Sequence, residues 1–234
     1  MTTISLLTVT QWSRRGFLPL LRDMIEEQTV KADEWIIVEG SREPEEAAAN
    51  GHLVRALHST VPIRYVTGAA GSRLGALRLA ASEAATGDFR VIMDDDDYYP
   101  PTRVGHAVDR LRSSKNRLAG CSRMLAYDFN RDRMYQFKSF GPNHSISPCM
   151  AWTADYDGTY DPTARIAEEA GFTRGFTEPM VQLNPVHTIV HGVHESNAYR
   201  DKCKNPMAVE LREAVQMYVP PTVLDQLKAA ATIP

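Results

Sequence analysis

The sequence predicts an α/β fold built on a mostly parallel sheet, and three observations carry that prediction. Short apolar runs alternate with helix-periodic segments four times within the first hundred residues. Each apolar run gives way to polar or glycine-rich residues at its end, which is where open α/β sheets bind ligands. The fourth run, Val91-Ile92-Met93, passes straight into Asp94-Asp95-Asp96-Asp97-Tyr98-Tyr99-Pro100-Pro101. Four like charges at the mouth of a core strand repel one another, so they either fan into water as an acidic turn or need a cation. Oxygen-only ligands favour a hard divalent ion such as Mg²⁺ or Mn²⁺. If the strand persists past Met93, alternation sets Asp94 and Asp96 on one side and Asp95 and Asp97 on the other.

The elements follow in order. Residues 4–9 read as a strand, followed by a polar turn, Gln11-Trp12-Ser13-Arg14-Arg15-Gly16. Phe17, Leu20, Leu21, Met24 and Ile25 recur at helical spacing, so residues 16–28 form an amphipathic helix. Residues 35–38 are the second strand, closed by Glu39-Gly40-Ser41. Residues 45–50 read as a helix stopped by Gly51, with a second helical piece over 52–58. The third strand, 63–66, leads into the glycine-rich loop 68–73 and a long alanine-rich helix. Thr8, Thr10, Glu39, the 68–73 loop and the aspartates therefore share one rim of the sheet. The loop reads G-A-A-G-S-R-L-G and does not follow the first strand, so it fits no dinucleotide fingerprint. No phosphate loop of G-x-x-x-x-G-K-[ST] form occurs either, which argues against NAD and ATP.

Beyond Pro101 a helix runs to about residue 113, and residues 118–127 and 133–140 read as strands of a hairpin. Residues 149–152 are a short apolar element, 163–170 a helix stopped by Gly171, and 181–183 and 188–190 short strands. Residues 207–219 have the pattern of an amphipathic helix cut by Pro220-Pro221, with a short helix after it.

Composition is that of an ordinary globular chain, with 43% hydrophobic and 24% charged residues. The net charge of −3 conceals a basic island, nine basic against three acidic side chains in residues 103–138. That island suits either a polyanion or substrate phosphates, or is a solvated helix and hairpin. Cys121, Cys149 and Cys203 are odd in number and widely spaced, which predicts reduced thiols and a cytoplasmic setting. No apolar stretch is long enough to span a bilayer, so a soluble protein with no transmembrane segment is expected. His187, His191 and His194 have the spacing of a zinc site, but the β-branched residues between the first two argue for a strand, which breaks the ligand pair.

Several of these segments, in their order and spacing, resemble the GT-A glycosyltransferases of the family 2 type. They are the strand–helix–strand ending Val38-Glu39-Gly40-Ser41, the Gly71-Ser72-Arg73 loop, the Thr86-Gly87-Asp88-Phe89 step and the aspartate run. Ala167-Glu168-Glu169-Ala170-Gly171-Phe172 is similar to that family's acidic "E-D" motif, and His194-Glu195-Ser196-Asn197 to its H-x-x-N segment. The likeness covers most of residues 3–200. It implies a GT-A, Rossmann-like fold with a smaller mixed β portion on the acceptor side. Residues 1–101 would be the nucleotide-sugar half, 102–200 the acceptor and catalytic half, and 201–234 a helical tail. It further implies metal-dependent, inverting transfer from a nucleotide-diphosphate sugar, a UDP-sugar favoured, to an acceptor hydroxyl.

Residue by residue, the resemblance puts Thr8, Thr10, Glu39, Arg73, Asp94 and Asp95 on the nucleotide and its sugar. Asp96, Asp94 and His194 would hold Mn²⁺ or Mg²⁺, and Glu168 or Glu169, the latter favoured, would be the base. The sequence departs from the pattern in carrying Glu39 alone before Gly-Ser, in a longer helix that lets Arg78 claim the role of Arg73, and in Glu169 as second member of "E-D". The Q-x-x-R-W signature of polymerising relatives is absent. The acceptor is open between a glycan and an anionic partner such as nucleic acid, and the economy of the chain suggests a phage or viral source. A sugar-nucleotide nucleotidylyltransferase and a non-catalytic nucleotide-binding module are the alternatives.

Overall fold

Apolar runs in the sequence become strands buried on both faces in the middle of the sheet, with residues 63–67 part-exposed at its edge. The structure, a computed structural model, describes residues 2–195, 197 and 202–233. Strands β1 (Ile4–Thr10), β2 (Glu34–Glu39), β3 (Ile63–Thr67) and β4 (Phe89–Ile92) pair in parallel, joined by helices α1 (Leu18–Glu26), α2 (Pro44–Ala56) and α3 (Leu74–Ala84). Period-two alternation divides the core. Leu6, Trp35, Ile37 and Val91 face α1 and the next helix, α4 (Arg103–Arg112), while Leu7, Val9, Ile36, Val38 and Ile92 face Leu77 and Ala81 of α3.

The second half of the chain extends the same sheet. After β5 (Leu118–Gly120), β6 (Leu125–Asp128), β7 (Arg133–Phe137), β8 (Ala151–Thr153), helix α5 (Glu169–Phe172) and β9 (Met180–Gln182), the large sheet has the order β3-β2-β1-β4-β8-β5-β9. Strand β8 runs antiparallel to both β4 and β5. The remaining strands, with β10 (Val190–Val193) and β11 (Ala208–Glu210), form a second sheet of order β10-β6-β7-β11, and α6 (Pro221–Ala231) closes the chain. The mixed α/β architecture with a large, mostly parallel sheet is the one the sequence predicts. None of the described helices is long and apolar enough to cross a membrane.

Several local expectations are corrected. Gly51 does not stop a helix: α2 continues through it, and a Cβ there would lie 3.2 Å from the Tyr65 ring, so the glycine lets α2 approach β3. The stretch 118–127 is not one strand. It breaks where the Cys121 amide donates to Ser145 Oγ (3.0 Å) and the Ser122 amide to Gln182 Oε1 (2.9 Å), and the chain changes sheets there. Residues 163–168 are turns, and the helix starts only at Glu169 with Gly171 inside it. Asp161 Oδ1 accepts from the Thr163 amide, and Ala167 has a left-handed φ of 54°. Residues 207–219 do not form a helix, because Ala208–Glu210 is captured by the edge of β7. The final helix, α6, is longer than expected at 11 residues. The expected boundary at residues 200 and 201, and Ser196 of the H-x-x-N segment, lie outside the described residues.

Thr8 shows how the two faces are tied. Its hydroxyl donates to Met93 O (2.6 Å) and accepts from Trp35 Nε1 (2.8 Å), joining β1, β2 and the exit of β4 inside the core. Thr8→Val keeps the volume but leaves a carbonyl and an indole N–H buried without partners, each worth about 1–3 kcal/mol. Chemical denaturation is therefore expected to show a loss of roughly 2–6 kcal/mol, and an unchanged midpoint would contradict the tie.

Candidate active site

The aspartates leave the sheet with the chain. Met93 makes its last ladder bond to Leu7 O (3.0 Å), and residues 95 and 96 form a turn, so the alternation expected for a continued strand does not occur. Tyr99 closes that turn from beneath: its hydroxyl accepts from the Asp94 amide (2.7 Å) and donates to Asp97 Oδ2 (3.4 Å). All four carboxylates are buried, between 0 and 9% exposed, which rules out the solvated acidic turn.

Each carboxylate meets a different counter-group. Asp94 holds Arg78 of α3 through both oxygens at 2.5 Å, and Arg78 Nε lies 3.4 Å from Glu168 Oε1. Arg14, on the single 3-10 turn after β1, places Nη1 3.2 Å from Asp95 Oδ1 and 3.1 Å from Asp96 Oδ2. Asp96 Oδ2 also receives Asn197 Nδ2 (3.0 Å) and faces His194 Nε2 (3.2 Å). The His194 ring lies between Phe17 and Phe129. Asp97 accepts from the Gly192 amide (2.9 Å) and from His191 Nδ1 (2.7 Å). Lys202 Nζ reaches His191 Nε2 at 2.7 Å and can only donate, so His191 carries its proton on Nδ1 and passes the lysine's influence to Asp97.

The electrostatics follow from burial and these partners. Burial, the largest influence on Asp95, raises its carboxyl despite Arg14. Burial opposes ionisation of Asp96 as well, but Arg14 and His194 outweigh it and hold that carboxyl low. Arg78 is raised, since Asp94 and Glu168 overcome its burial. Glu169, at the first turn of α5, is pushed up to about 7 by burial and then by the adjacent Glu168 charge.

The structure thus gathers Asp94, Asp95, Asp96, His194, Glu168 and Glu169, with Thr10 at the edge. Thr10 Oγ1, Asp95 Oδ2 and Arg14 Nε are buried without a well-formed hydrogen bond, although the Thr10 hydroxyl lies near enough to Asp95 to favour its ionised form. Other expected residues are occupied elsewhere. Thr8 is locked in the core as described. Glu39 is 1% exposed and accepts from the Ser41 amide (2.6 Å), Asn50 Nδ2 (2.5 Å) and Tyr65 OH (2.8 Å), so it shapes the 40–43 turn. Arg73 donates to Thr163 O (2.7 Å), and the arginine on the aspartates is Arg78. Arg14 and Tyr99 were not singled out from sequence as site groups. A cation next to a polar turn on the same rim as four aspartates was the available signal for Arg14.

No three His, Cys, Asp or Glu side chains among the described residues already form a metal cage. Two fit part of one. Asp96 Oδ2 and His194 Nε2 are 3.2 Å apart, close to the separation of about 3 Å between neighbouring donors around an octahedral ion with bonds of about 2.1 Å. The carboxylate suits either Mn²⁺ or Mg²⁺, and the imidazole, a softer donor, fits Mn²⁺ better than Mg²⁺.

Arg78 is the hinge between aspartates and glutamates. Arg78→Met would leave Asp94 and Glu168 buried without it, and such losses cost about 3–5 kcal/mol. A fall of that size in unfolding free energy is expected by urea titration, and a change below about 1 kcal/mol would contradict a buried ionic bridge.

The model of the family described as Glycosyl transferase family 2 matches residues 17–170, more than half of the chain. Solved structures of similar fold include TarS 1–349 of S. aureus in complex with UDP-GlcNAc, at TM-score 0.63 and 15% identity over 83% of this chain and 60% of that one. TarS 1–349 without a named ligand matches at TM-score 0.61, with 15% identity over 82% of this chain and 60% of that one. The mannosyltransferase PcManGT from Pyrobaculum calidifontis, in complex with GDP-Man and Mn²⁺, matches at TM-score 0.61 and 16% identity over 98% of this chain and 74% of that one. The chain therefore spans about three fifths of the TarS 1–349 length. A comparison with curated proteins finds no match.

Proposed function

We propose, from the premise that this chain belongs to glycosyl transferase family 2, that it is a metal-dependent, inverting glycosyltransferase taking a nucleotide-diphosphate sugar, with a UDP-sugar favoured. The observation that carries the reading is Glu169. Its neighbour Glu168 is held by Arg78, while Glu169 makes no ion pair of its own among the described residues and has a carboxyl pushed up to about 7. A base poised near neutrality can take the proton of an acceptor hydroxyl as that oxygen attacks the anomeric carbon from the face opposite the leaving diphosphate.

The other residues serve the donor. Asp94, fixed by Arg78, and Asp95 with Thr10 stand at the sheet rim as groups for the sugar and ribose hydroxyls. Arg73, at the start of α3, lies on the glycine-rich loop at the same rim, where it would approach the nucleotide. Glu39 acts on the base side through the turn it shapes. Asp96 and His194 would hold Mn²⁺ or Mg²⁺, which when bound stabilises the charge developing on the diphosphate oxygens. The solved relatives support a nucleotide-sugar donor: TarS is recorded with UDP and with UDP-GlcNAc, PcManGT with GDP-Man.

The division of labour we assign follows the chain, with residues 1–101 holding the donor and 102–200 the acceptor, and the final segment adding Lys202 to the His191–Asp97 contact. A glycan acceptor fits better than nucleic acid, because part of the basic island is internally paired. Arg131 meets Asp128, Arg133 meets Glu210, and Arg103 is wholly buried.

The test is release of nucleotide diphosphate from a panel of UDP- and GDP-sugars with glycan acceptors. Glu169→Gln is expected to lower turnover by about 10²–10⁴-fold with donor affinity intact. In the wild type, kcat/KM should rise as pH passes through about 7, where Glu169 ionises, and this limb should vanish in the variant. Full activity in Glu169→Gln would overturn the assignment of the base.

A further inference from the structure

We propose that Arg14 is an internal counter-cation that neutralises Asp95 and Asp96 in the metal-free protein and yields them when the divalent ion enters; this rests on the metal-dependent reading above. The other cations of the site are committed. Arg78 is bound through two nitrogens to Asp94 and through its third to Glu168, and Lys202 is held on Nε2 of His191, whose Nδ1 meets Asp97. Arg14 is held differently. One nitrogen, Nη1, bridges two carboxylates at 3.2 and 3.1 Å, while Nε is buried with no partner. Its side chain is still 19% exposed, so a path to water exists.

The backbone beneath Arg14 is anchored, which leaves the side chain as the moving part. The Trp12 amide donates to Ser41 Oγ at 2.7 Å, and the Arg15 guanidinium covers the Trp12 ring at 4.3 Å. The oxygen that Arg14 occupies, Asp96 Oδ2, is the one that faces His194 Nε2. An ion between Asp96 and His194 would place two positive charges against the guanidinium on a shared oxygen, inside a site that screens charge poorly. Cation and guanidinium therefore exclude each other. Without either, Asp95 would be left buried with no well-formed hydrogen bond and Asp96 with Asn197 and His194 alone.

The exchange is tested on nucleotide-free protein, with Mn²⁺ itself as the probe. Free Mn²⁺ is read by electron paramagnetic resonance, and thermal unfolding is followed with chelator and with Mn²⁺, in wild type, Arg14→Gln and Arg14→Lys. Arg14→Gln is expected to bind Mn²⁺ at least about tenfold more tightly than wild type, as removing a competing charge shifts such a site by a logarithmic unit or more. It should also melt earlier in chelator and regain more of its Tm on adding Mn²⁺. If Arg14→Gln does not fold in chelator, Arg14→Lys carries the comparison: its single ammonium spans the two aspartates less well, and tighter Mn²⁺ binding is again expected. Equal or weaker Mn²⁺ binding in the folded variant, with wild type binding normally, overturns the exchange and leaves the transferase reading standing. Absence of Mn²⁺ binding in every protein refutes both the exchange and metal dependence.

Discussion

Four consecutive carboxylates buried at the end of one strand are the constraint to which much of this structure answers. Like charges so close cannot remain together in a poorly screening interior unless each is met by a cation or by several donors. No single element supplies these. Arg14 comes from the turn after β1, Arg78 from α3, His191 and the Gly192 amide from β10, and His194 and Asn197 from the segment beyond it. The aspartate turn therefore binds the two halves of the chain to each other, and the small sheet is anchored to it again where Tyr98 and Val190 exchange backbone hydrogen bonds at 3.0 and 2.9 Å.

Close approach of backbone at the same place follows from that packing. A Cβ on Gly192 would lie 2.5 Å from Asp96 O, so only glycine lets β10 reach the turn. Gly75 plays a comparable part for α3, where a Cβ would meet Asp161 O at 1.9 Å. This contact lays the 161–168 loop against the helix that carries Arg78. The loop then delivers Glu168 to Arg78 and leaves Glu169 beside it. Two adjacent glutamates thus acquire different environments, one in an ion pair and one raised by burial and by its neighbour.

The parallel half was legible because its signals are local. Strands β1 to β4 are short, largely apolar runs, interrupted only by Arg64 in β3 and Arg90 in β4 among charged residues inside them, and each gives way to the polar residues that mark the rim. The second half was less so, since its strands are short and their limits depend on distant partners: Ser145 and Gln182 end the run at 120, and the edge of β7 captures Ala208–Glu210 against its helical pattern. At the site, the aspartates, the glutamate pair and His194 were visible as acidic runs and motif segments. Which arginine answers Asp94 was not, because Arg73 and Arg78 lie five positions apart on or beside one helix and only the fold shows which points inward. Glu39 and Thr8 carried the right residue types for ligand contact, yet their groups are taken by Asn50, Tyr65, Trp35 and Met93, none of which is near them in sequence.

The central claim is that the aspartate turn forms the diphosphate end of a donor site. Calorimetric titration of UDP, GDP, dTDP and CDP, with and without Mn²⁺, into wild type and Asp96→Ala tests it most directly. The account predicts that one nucleotide binds, that Mn²⁺ strengthens its binding, and that the variant loses this gain while remaining folded. Absence of nucleotide binding under every condition, or binding indifferent to Asp96, would contradict it.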